Sequence, residues 1–200
     1  MIKNIVFDFG DIFINLDKQA VYEHLAAFGY PELTSEMDTL AKTYEVGNIS
    51  SDTFLTQLQQ LIPSASITQV TNAWNSILLD FPESRLRFLE NLKAEGNYRL
   101  FLLSNTNELH IDYVKKTMGI KRWNRFKACF EQFYLSHEIH MRKPNTEIFD
   151  FVLKENGLAA NETYFIDDTQ ENTAAAASVG IHTWHLIIGS EDITELKSKL

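Results

Sequence analysis

The chain has 200 residues, of which 44% are hydrophobic, and a formal net charge of −9, which fits one domain, or one domain with a smaller insert, that buries a sizeable core. The acidic balance argues against a nucleic-acid partner, and no apolar run approaches the ~18 residues of a membrane span. A single cysteine, Cys129, excludes an internal disulfide and fits a reducing cytoplasm.

The first predicted element is a short apolar strand, residues 5–7, which stops at Asp8. From about residue 16 to residue 80 the patterns are helical, and Ser50 or Ser51 is a suitable N-cap for one of the helices. We therefore predict a helical insert over 16–80. The four helical segments are "KQAVYEHLAAFG", "TSEMDTLAKTYEVG", "SSDTFLTQLQQL" and "SITQVTNAWNSILL".

The insert separates the two parts of a core domain, residues 1–15 and 81–200. An insert after the first strand would lie over the carboxyl ends of the strands, where open α/β sheets bind ligands. We interpret it as a lid. The alternative is a helical decoration with no role in substrate binding.

Beyond residue 80, short apolar strands alternate with helical segments. A helix is predicted from Ser84 to Gly96, and two later helical segments also end in glycine. Near-continuous apolar strands are typical of a sheet covered on both faces. The order predicts an α/β fold with a doubly wound, mainly parallel sheet. The predicted strands are "RLFLLS" (99–104), "QFYLS" (132–136), "TYFID" (163–167) and "IHTWHLI" (181–187).

Polar residues close these strands: Asp8, Ser104, Asp167 and Asp168, while Lys143 precedes a proline and a helix. Singly, each residue is more typical of a turn, a helix cap or a solvated surface, and Lys143 is expected to be exposed. The carboxyl ends of parallel strands share one edge, so the ordered set indicates a site.

Such a set suits phosphoryl transfer. Carboxylate oxygens are ligands that Mg²⁺ prefers, and a free carboxylate can act as a nucleophile. A hydroxyl near a helix N-terminus and a lysine can neutralise a phosphate.

Four segments, "FDFG", "LLSNTN", "MRKP" and "FIDDTQENTAAA", resemble in order the four motifs of the haloacid dehalogenase (HAD) superfamily. The resemblance spans the whole chain. The insert resembles the family's small helical cap, and "YEVGNISSDTFL" is similar to the cap helix–turn–helix of bacterial members. The group that the chain most resembles is the bacterial α-D-glucose-1-phosphate phosphatase-like enzymes.

The resemblance implies a Rossmann-like core that binds Mg²⁺. Asp8 would be both the nucleophile and a metal ligand, and the main-chain carbonyl of Gly10 a second ligand. Asp168 would ligate directly, with Asp167 ligating or bridging through water.

The resemblance also assigns the phosphate contacts. Ser104 and Asn105 would bind the transferring phosphoryl group, and Lys143 would balance the charges of Asp8 and the phosphate. Asn172 would brace one of the two carboxylates at 167–168.

One position departs from the superfamily pattern, because Gly10 stands where most of its phosphatases carry an Asp as general acid and base. The family's dehalogenases lack that Asp too, but they need no metal and lack the acid pair at 167–168. The proton donor is therefore unassigned, and Asp11 is the adjacent acid.

We accordingly expect a cytoplasmic Mg²⁺-dependent phosphatase that acts on a small phosphorylated metabolite, a sugar phosphate, through an aspartyl-phosphate on Asp8. The alternatives are a catalytically weak HAD-fold protein that binds phosphate and metal, and a metal-free haloacid dehalogenase. The identity of the substrate and the oligomeric state stay open. Asp17, Tyr44 and Glu45 are candidates for specificity.

Overall fold

The computed structural model describes residues 1–200. Its centre is a five-stranded parallel sheet in the order β3-β2-β1-β4-β5. Because the order reverses at β1, the central strand lies at a topological switch point. Because the strands are parallel, all of their carboxyl ends lie at one edge of the sheet. The strands are β1 (Asn4–Phe7), β2 (Arg99–Ser104), β3 (Gln132–Leu135), β4 (Thr163–Asp167) and β5 (His182–His185).

Helices cover both faces of the sheet and also fill the interval between β1 and β2. None of them combines the length and apolarity needed to cross a membrane. They are α1 (Ala20–Ala26), α2 (Ser35–Glu45), α3 (Ser51–Leu61), α4 (Ile67–Asn75), α5 (Glu83–Glu95), α6 (Glu108–Met118), α7 (Ile120–Lys127), α8 (Ser136–Ile139), α9 (Thr146–Asn156) and α10 (Gln170–Ser178), with 3-10 turns at Ala160–Glu162 and Ile193–Ser198.

Successive residues of one strand enter two different cores. In β2, Leu100 and Leu102 belong to one buried cluster, while Phe101 and Leu103 belong to the cluster on the other face. This alternation follows from the two-residue period of a strand. It explains why the strands are apolar without a break, and it confirms the predicted doubly wound α/β sheet.

Helices α1 to α4, which we call the helical block, bury a third apolar cluster of their own. Three of these helices begin at a hydroxyl residue, Thr34, Ser50 or Ser66, whose side chain accepts a backbone N–H of the first turn. Of the two serines considered for α3, Ser50 is therefore the N-cap.

The chain enters and leaves the helical block through two adjacent segments, 15–17 and 77–80, which we call the paired linkers. They form an antiparallel bridge between Leu16 and Leu78. The backbone hydrogen bonds are Asn15 N–H to Asp80 O (2.9 Å), Leu79 N–H to Asn15 O (3.0 Å) and Asp17 N–H to Ile77 O (2.8 Å).

Some predicted element ends were wrong. Helix α4 stops at Asn75 and does not extend through residues 76–79, because this segment pairs with the first linker. Helix α5 begins at Glu83, after Pro82, and ends at Gly96 as predicted, with φ at 68°. The last strand is also shorter than residues 181–187, and Ser136 opens α8.

The turn after α2 rests on residues 136–142 of the core, which we call the seat. The Ser136 hydroxyl donates to Glu45 O at 2.6 Å, and His140 Nδ1 donates to Val46 O at 2.9 Å. Arg142 Nε lies 2.8 Å from Glu45 Oε1. Side chains of the seat thus satisfy carbonyl groups left open at the end of α2.

Gly47 is the tightest point of this contact. Its φ is +70°, and a Cβ atom there would lie 2.1 Å from the backbone oxygen of His137. Because a backbone atom blocks the position, only glycine fits.

Candidate active site

The edge of the sheet at the carboxyl ends of the strands, which we call the catalytic edge because the candidate site lies there, brings three carboxylates together. Asp8 follows β1, Asp167 ends the neighbouring β4, and Asp168 is the next residue. One oxygen from each lies within 4.8 Å of the others. The pairing of β1 with β4 explains the convergence, because it places the ends of these two strands side by side.

Lys143 joins two of these acids. Its Nζ atom lies 2.7 Å from Asp8 Oδ1 and 2.6 Å from Asp167 Oδ2, and its side chain is only 1% exposed. The expectation of an exposed lysine was therefore wrong. A lysine buried to this degree is stable as a cation only because both carboxylates neutralise it.

Asn105 holds the backbone of Lys143. The Nδ2 group of Asn105 donates to Lys143 O, and Lys143 N–H donates to Asn105 Oδ1, each at 2.9 Å. The amide of Asn105 thus positions the lysine, and the backbone N–H of Asn105 is left for the predicted phosphate contact. Ser104, also predicted to contact phosphate, is buried at the end of β2.

The fully buried Asp167 is fixed from several sides. Asn172 Nδ2 lies 3.1 Å from each of its carboxylate oxygens, and Thr169 N–H donates to its Oδ1 at 2.8 Å. The brace expected from Asn172 thus reaches Asp167. Its neighbour Asp168 has a different partner.

Asp168 is paired with Lys18, a residue that the sequence analysis did not single out. Lys18 Nζ lies 2.7 Å from Asp168 Oδ2 and 3.0 Å from Asp11 Oδ2. The other oxygen of Asp11 accepts the N–H of Leu16 at 3.0 Å. Asp11 therefore stabilises the loop after β1, and no sequence pattern marks Lys18 as its partner.

Burial dominates the electrostatics of this edge. It raises the pKa of Asp8 to about 7, with the Lys143 ammonium opposing the rise and Asp167 adding to it. For Lys143, burial alone would lower the pKa, but the two carboxylates outweigh it and raise the pKa above its usual value. Burial also raises the pKa of Asp168, against the opposing effect of Lys18.

The acids fit a divalent cation. Three carboxylates converge on one point, and the two lysines that pair with them, Lys143 and Lys18, supply only two positive charges. Hard oxygen ligands with excess negative charge suit Mg²⁺. Asp8, Asp168 and the carbonyl of Gly10 could hold it, with Asp167 beside them.

Gly10 leaves a gap next to the nucleophile candidate. Its φ is not in the left-handed region. A Cβ atom there would lie 2.8 Å from Leu16 Cδ1 and 3.9 Å from Asp8 Oδ2. A side chain at this position therefore conflicts only with the flexible end of a leucine.

Two cavities meet at Gly10, Leu16 and Asn105. The outer cavity, of about 470 Å³, opens beside the carboxylates; its other lining residues are Asp8, Lys18, Lys42, Arg142, Lys143, Pro144, Asp168, Thr169, Glu171 and Asn172. The inner cavity, of about 230 Å³, is more enclosed; its other lining residues are Phe9, Ile14, Glu45, Trp74, Ile77, Leu78, Ser104, Thr106, Asn107, His110, Ile111 and Val114.

Comparison with known proteins gives consistent matches. The haloacid dehalogenase-like hydrolase family matches residues 2–180. A D-ribitol-5-phosphate phosphatase from Bacteroides thetaiotaomicron is 27% identical over 98% of this chain and 97% of its own length. A sesquiterpene phosphatase from Aspergillus oryzae is 29% identical over 77% of this chain and 76% of its own.

A crystal structure has the same fold. It is that of a HAD family enzyme from Bacteroides thetaiotaomicron in complex with magnesium and inorganic phosphate, and it superposes with a TM-score of 0.80. The sequences are 33% identical, and the match covers 96% of this chain and 97% of the other.

Proposed function

This chain belongs to the haloacid dehalogenase-like hydrolase family, and on that premise we propose that it cleaves small phosphate monoesters through an aspartyl-phosphate on Asp8. The chain is a phosphoric monoester hydrolase, and Mg²⁺ is its cofactor. One observation carries the proposal: the buried Asp8 carboxylate is held at one oxygen by Lys143 beside two further acids.

The two oxygens of Asp8 have different surroundings. Oδ1 accepts from Lys143, whereas Oδ2 has no hydrogen-bond partner and lies toward Gly10. Oδ2 is therefore the oxygen that attacks phosphorus. Lys143 keeps the carboxylate oriented and offsets the negative charge that accumulates when a phosphate approaches it.

Backbone donors are available for the phosphoryl oxygens. The N–H groups of Phe9, Gly10 and Asn105 make no hydrogen bond within the protein. When bound, Mg²⁺ supplies positive charge to the phosphoryl oxygens. As Oδ2 bonds to phosphorus, the P–O bond to the alcohol breaks and the alcohol leaves. Water then hydrolyses the aspartyl-phosphate to inorganic phosphate, which frees Asp8 for another turnover.

The substrate that we propose is a sugar or polyol phosphate. The relative that spans nearly the whole chain is named for a polyol phosphate, D-ribitol 5-phosphate. The acid cluster at Asp167 and Asp168 supports phosphoryl chemistry over a metal-free dehalogenase.

The remaining proposals concern organisation and location. We propose that residues 1–15 and 81–200 form the core domain and that residues 16–80 act as its lid. The substrate is a small molecule, and the net charge of −9 argues against nucleic acid as a partner. The single buried, unpaired Cys129 supports a cytoplasmic location.

The test is phosphate release by the purified protein. Nitrophenyl phosphate and a panel of sugar and polyol phosphates are assayed with Mg²⁺ and with a chelator, and Asp8→Asn is the inactive control. We expect release that requires Mg²⁺. Phosphate binding without turnover would instead favour a catalytically weak binding protein, and halide release from a haloacid would favour a dehalogenase.

A further inference from the structure

Asp8 lines the outer cavity, and the nearby Gly10 lines both cavities. A Cβ atom on Gly10 would lie 3.9 Å from Asp8 Oδ2, the proposed nucleophilic oxygen. In phosphoryl transfer the attacking and leaving oxygens lie roughly in line through phosphorus. A phosphoryl group bound at Gly10 would therefore direct its leaving oxygen away from Asp8, past the junction of the cavities.

The lining of the inner cavity is mixed. It includes the apolar residues Ile14, Ile77 and Val114 from three different segments. It also includes polar residues, among them Glu45 and Thr106. The only hydrogen bonds of Thr106 involve its backbone, so its hydroxyl is unpaired.

Two other polar residues of this cavity bond to each other and to Trp74. Asn107 Oδ1 accepts from Trp74 Nε1 at 3.3 Å and from His110 N–H at 3.1 Å, and Asn107 Nδ2 donates to His110 Nδ1 at 3.2 Å. His110 Nε2 donates to Trp74 O at 3.0 Å. Each polar atom therefore has a partner, and the second amide hydrogen of Asn107 is the one donor of this pair without an acceptor.

Glu45 is the one charged residue that lines the inner cavity. Its Oε1 accepts from Arg142, its backbone carbonyl accepts from Ser136, and its Oε2 has no partner. The side chain is thus held in place while one carboxylate oxygen stays available. The other specificity candidates, Asp17 and Tyr44, do not line the inner cavity. Asp17 accepts backbone N–H groups at the start of α1, and Tyr44 bonds Ser51.

We propose that the inner cavity holds the leaving-group alcohol and that Glu45 selects hydroxylated alcohols by accepting a hydrogen bond from one of their hydroxyls. The carbon chain packs against the apolar lining residues. The proposal rests on the proposed phosphatase function, and it assigns the choice of substrate to a residue of the helical block. The cavity of about 230 Å³ restricts the leaving group to a small alcohol.

The experiment compares substrates that differ only in a terminal hydroxyl. The monophosphates of propane-, butane- and pentanediol are each paired with the n-alkyl phosphate of equal carbon number, and kcat/KM is measured with Mg²⁺. The variants are Glu45→Gln, Glu45→Leu and, as a matched control on the outer side of α2, Glu36→Leu. Nitrophenyl phosphate reports the basal activity.

For at least one chain length, we expect the wild type to favour the diol phosphate by about 10- to 100-fold, the range for a hydrogen bond to a charged group. Glu45→Leu should reduce this ratio to near one, Glu45→Gln should retain part of it, and Glu36→Leu should leave it unchanged. A variant that only shifts the helical block would lower kcat/KM for the diol phosphate and for the alkyl phosphate together, and the ratio of the two would stay the same.

The two proposals fail in different ways. A wild-type ratio near one at every length, or a ratio that Glu45→Leu and Glu45→Gln do not change, would overturn the assignment of Glu45 while Mg²⁺-dependent turnover stands. No release from any substrate, nitrophenyl phosphate included, would overturn the phosphatase function and this inference together.

Discussion

The catalytic edge and the seat are both held by ion pairs, but in opposite environments. At the edge, the side chains of Lys143 and Asp167 are 1% and 0% exposed. At the seat, the side chains of Arg142 and Glu45 are 29% and 26% exposed. Removing one partner of a buried pair costs about 3–5 kcal/mol, whereas an exposed pair contributes about 0–1 kcal/mol.

This difference separates two tasks. The buried edge keeps Asp8, the proposed nucleophile, in one geometry, which suits chemistry that depends on fixed charges. The ion pair of the seat is partly exposed to water, so changing it should leave the geometry at Asp8 undisturbed. The four predictions below test this separation, from the largest expected effect to the smallest.

Asp8→Asn tests whether the edge performs the chemistry. Losing the nucleophile should lower kcat by about 10⁴-fold or more, as removal of a nucleophile does in other hydrolases. The substitution is nearly isosteric, and Lys143 keeps Asp167 as a partner, so the protein should stay folded. Steady-state kinetics and a thermal melt measure both. A folded variant with near wild-type turnover would refute the nucleophile assignment.

Lys143→Ala tests whether the edge is also structural. The variant leaves two buried carboxylates unpaired, so the free energy of unfolding should fall by about 3–5 kcal/mol, in addition to a loss of turnover. Mg²⁺ should restore part of this stability, because it binds the same acids. Urea unfolding with and without Mg²⁺ measures the effect.

Lys18→Ala is the matched control for Lys143→Ala, since it removes a lysine whose side chain is 52% exposed and which also pairs with an acid of the site. We expect it to cost at most about 1 kcal/mol. An equal fall in the free energy of unfolding in Lys18→Ala and Lys143→Ala would contradict the contrast between buried and exposed ion pairs.

Gly10→Asp supplies the acid that this edge lacks. A general acid typically contributes about 10²–10⁴ in rate, and it matters most when the leaving oxygen is basic. The ratio of kcat/KM on primary alkyl phosphates to that on nitrophenyl phosphate should rise about tenfold or more, once Leu16 has moved aside. Gly10→Asn is the control of similar size. An equal change on both substrates would show that another group supplies the proton.

Arg142→Leu perturbs the seat alone. It frees Glu45 from its ion pair, so we expect a loss of at most about 1 kcal/mol in unfolding free energy and a rise in KM of less than about tenfold. Unfolding curves and saturation kinetics on a diol phosphate measure these changes. A fall in kcat as large as that of Lys143→Ala would mean that the seat and the edge are not separate.

The sequence predicted the sheet because its signal is local. Each strand is an apolar run between polar residues. Helix ends such as Gly96 and helix caps such as Ser50 are determined by a few adjacent residues. The acids at strand ends could be grouped because parallel strands share one edge. To predict these features, one needs only the periodicity of hydrophobic residues and the rule that parallel strands end at the same edge of a sheet.

What the sequence did not predict depends on contacts between distant segments. The burial of Lys143 and its backbone bonds to Asn105 join residues 38 positions apart. The pairing of Arg142 with Glu45 spans 97 positions. Helix α4 ends early because of hydrogen bonds to the other linker. No local pattern encodes such partners, because they are chosen by tertiary packing.

The paired linkers have a consequence for how folds of this kind diverge. Since Asn15 N–H bonds Asp80 O at 2.9 Å, the chain leaves the core and returns to it at one point. Segments are tolerated as insertions where the two ends lie close together at the surface. A short loop that joins residue 15 to residue 80 would therefore preserve the strand order. Recombination at this single junction could replace one helical block with another while the same edge of the sheet is kept.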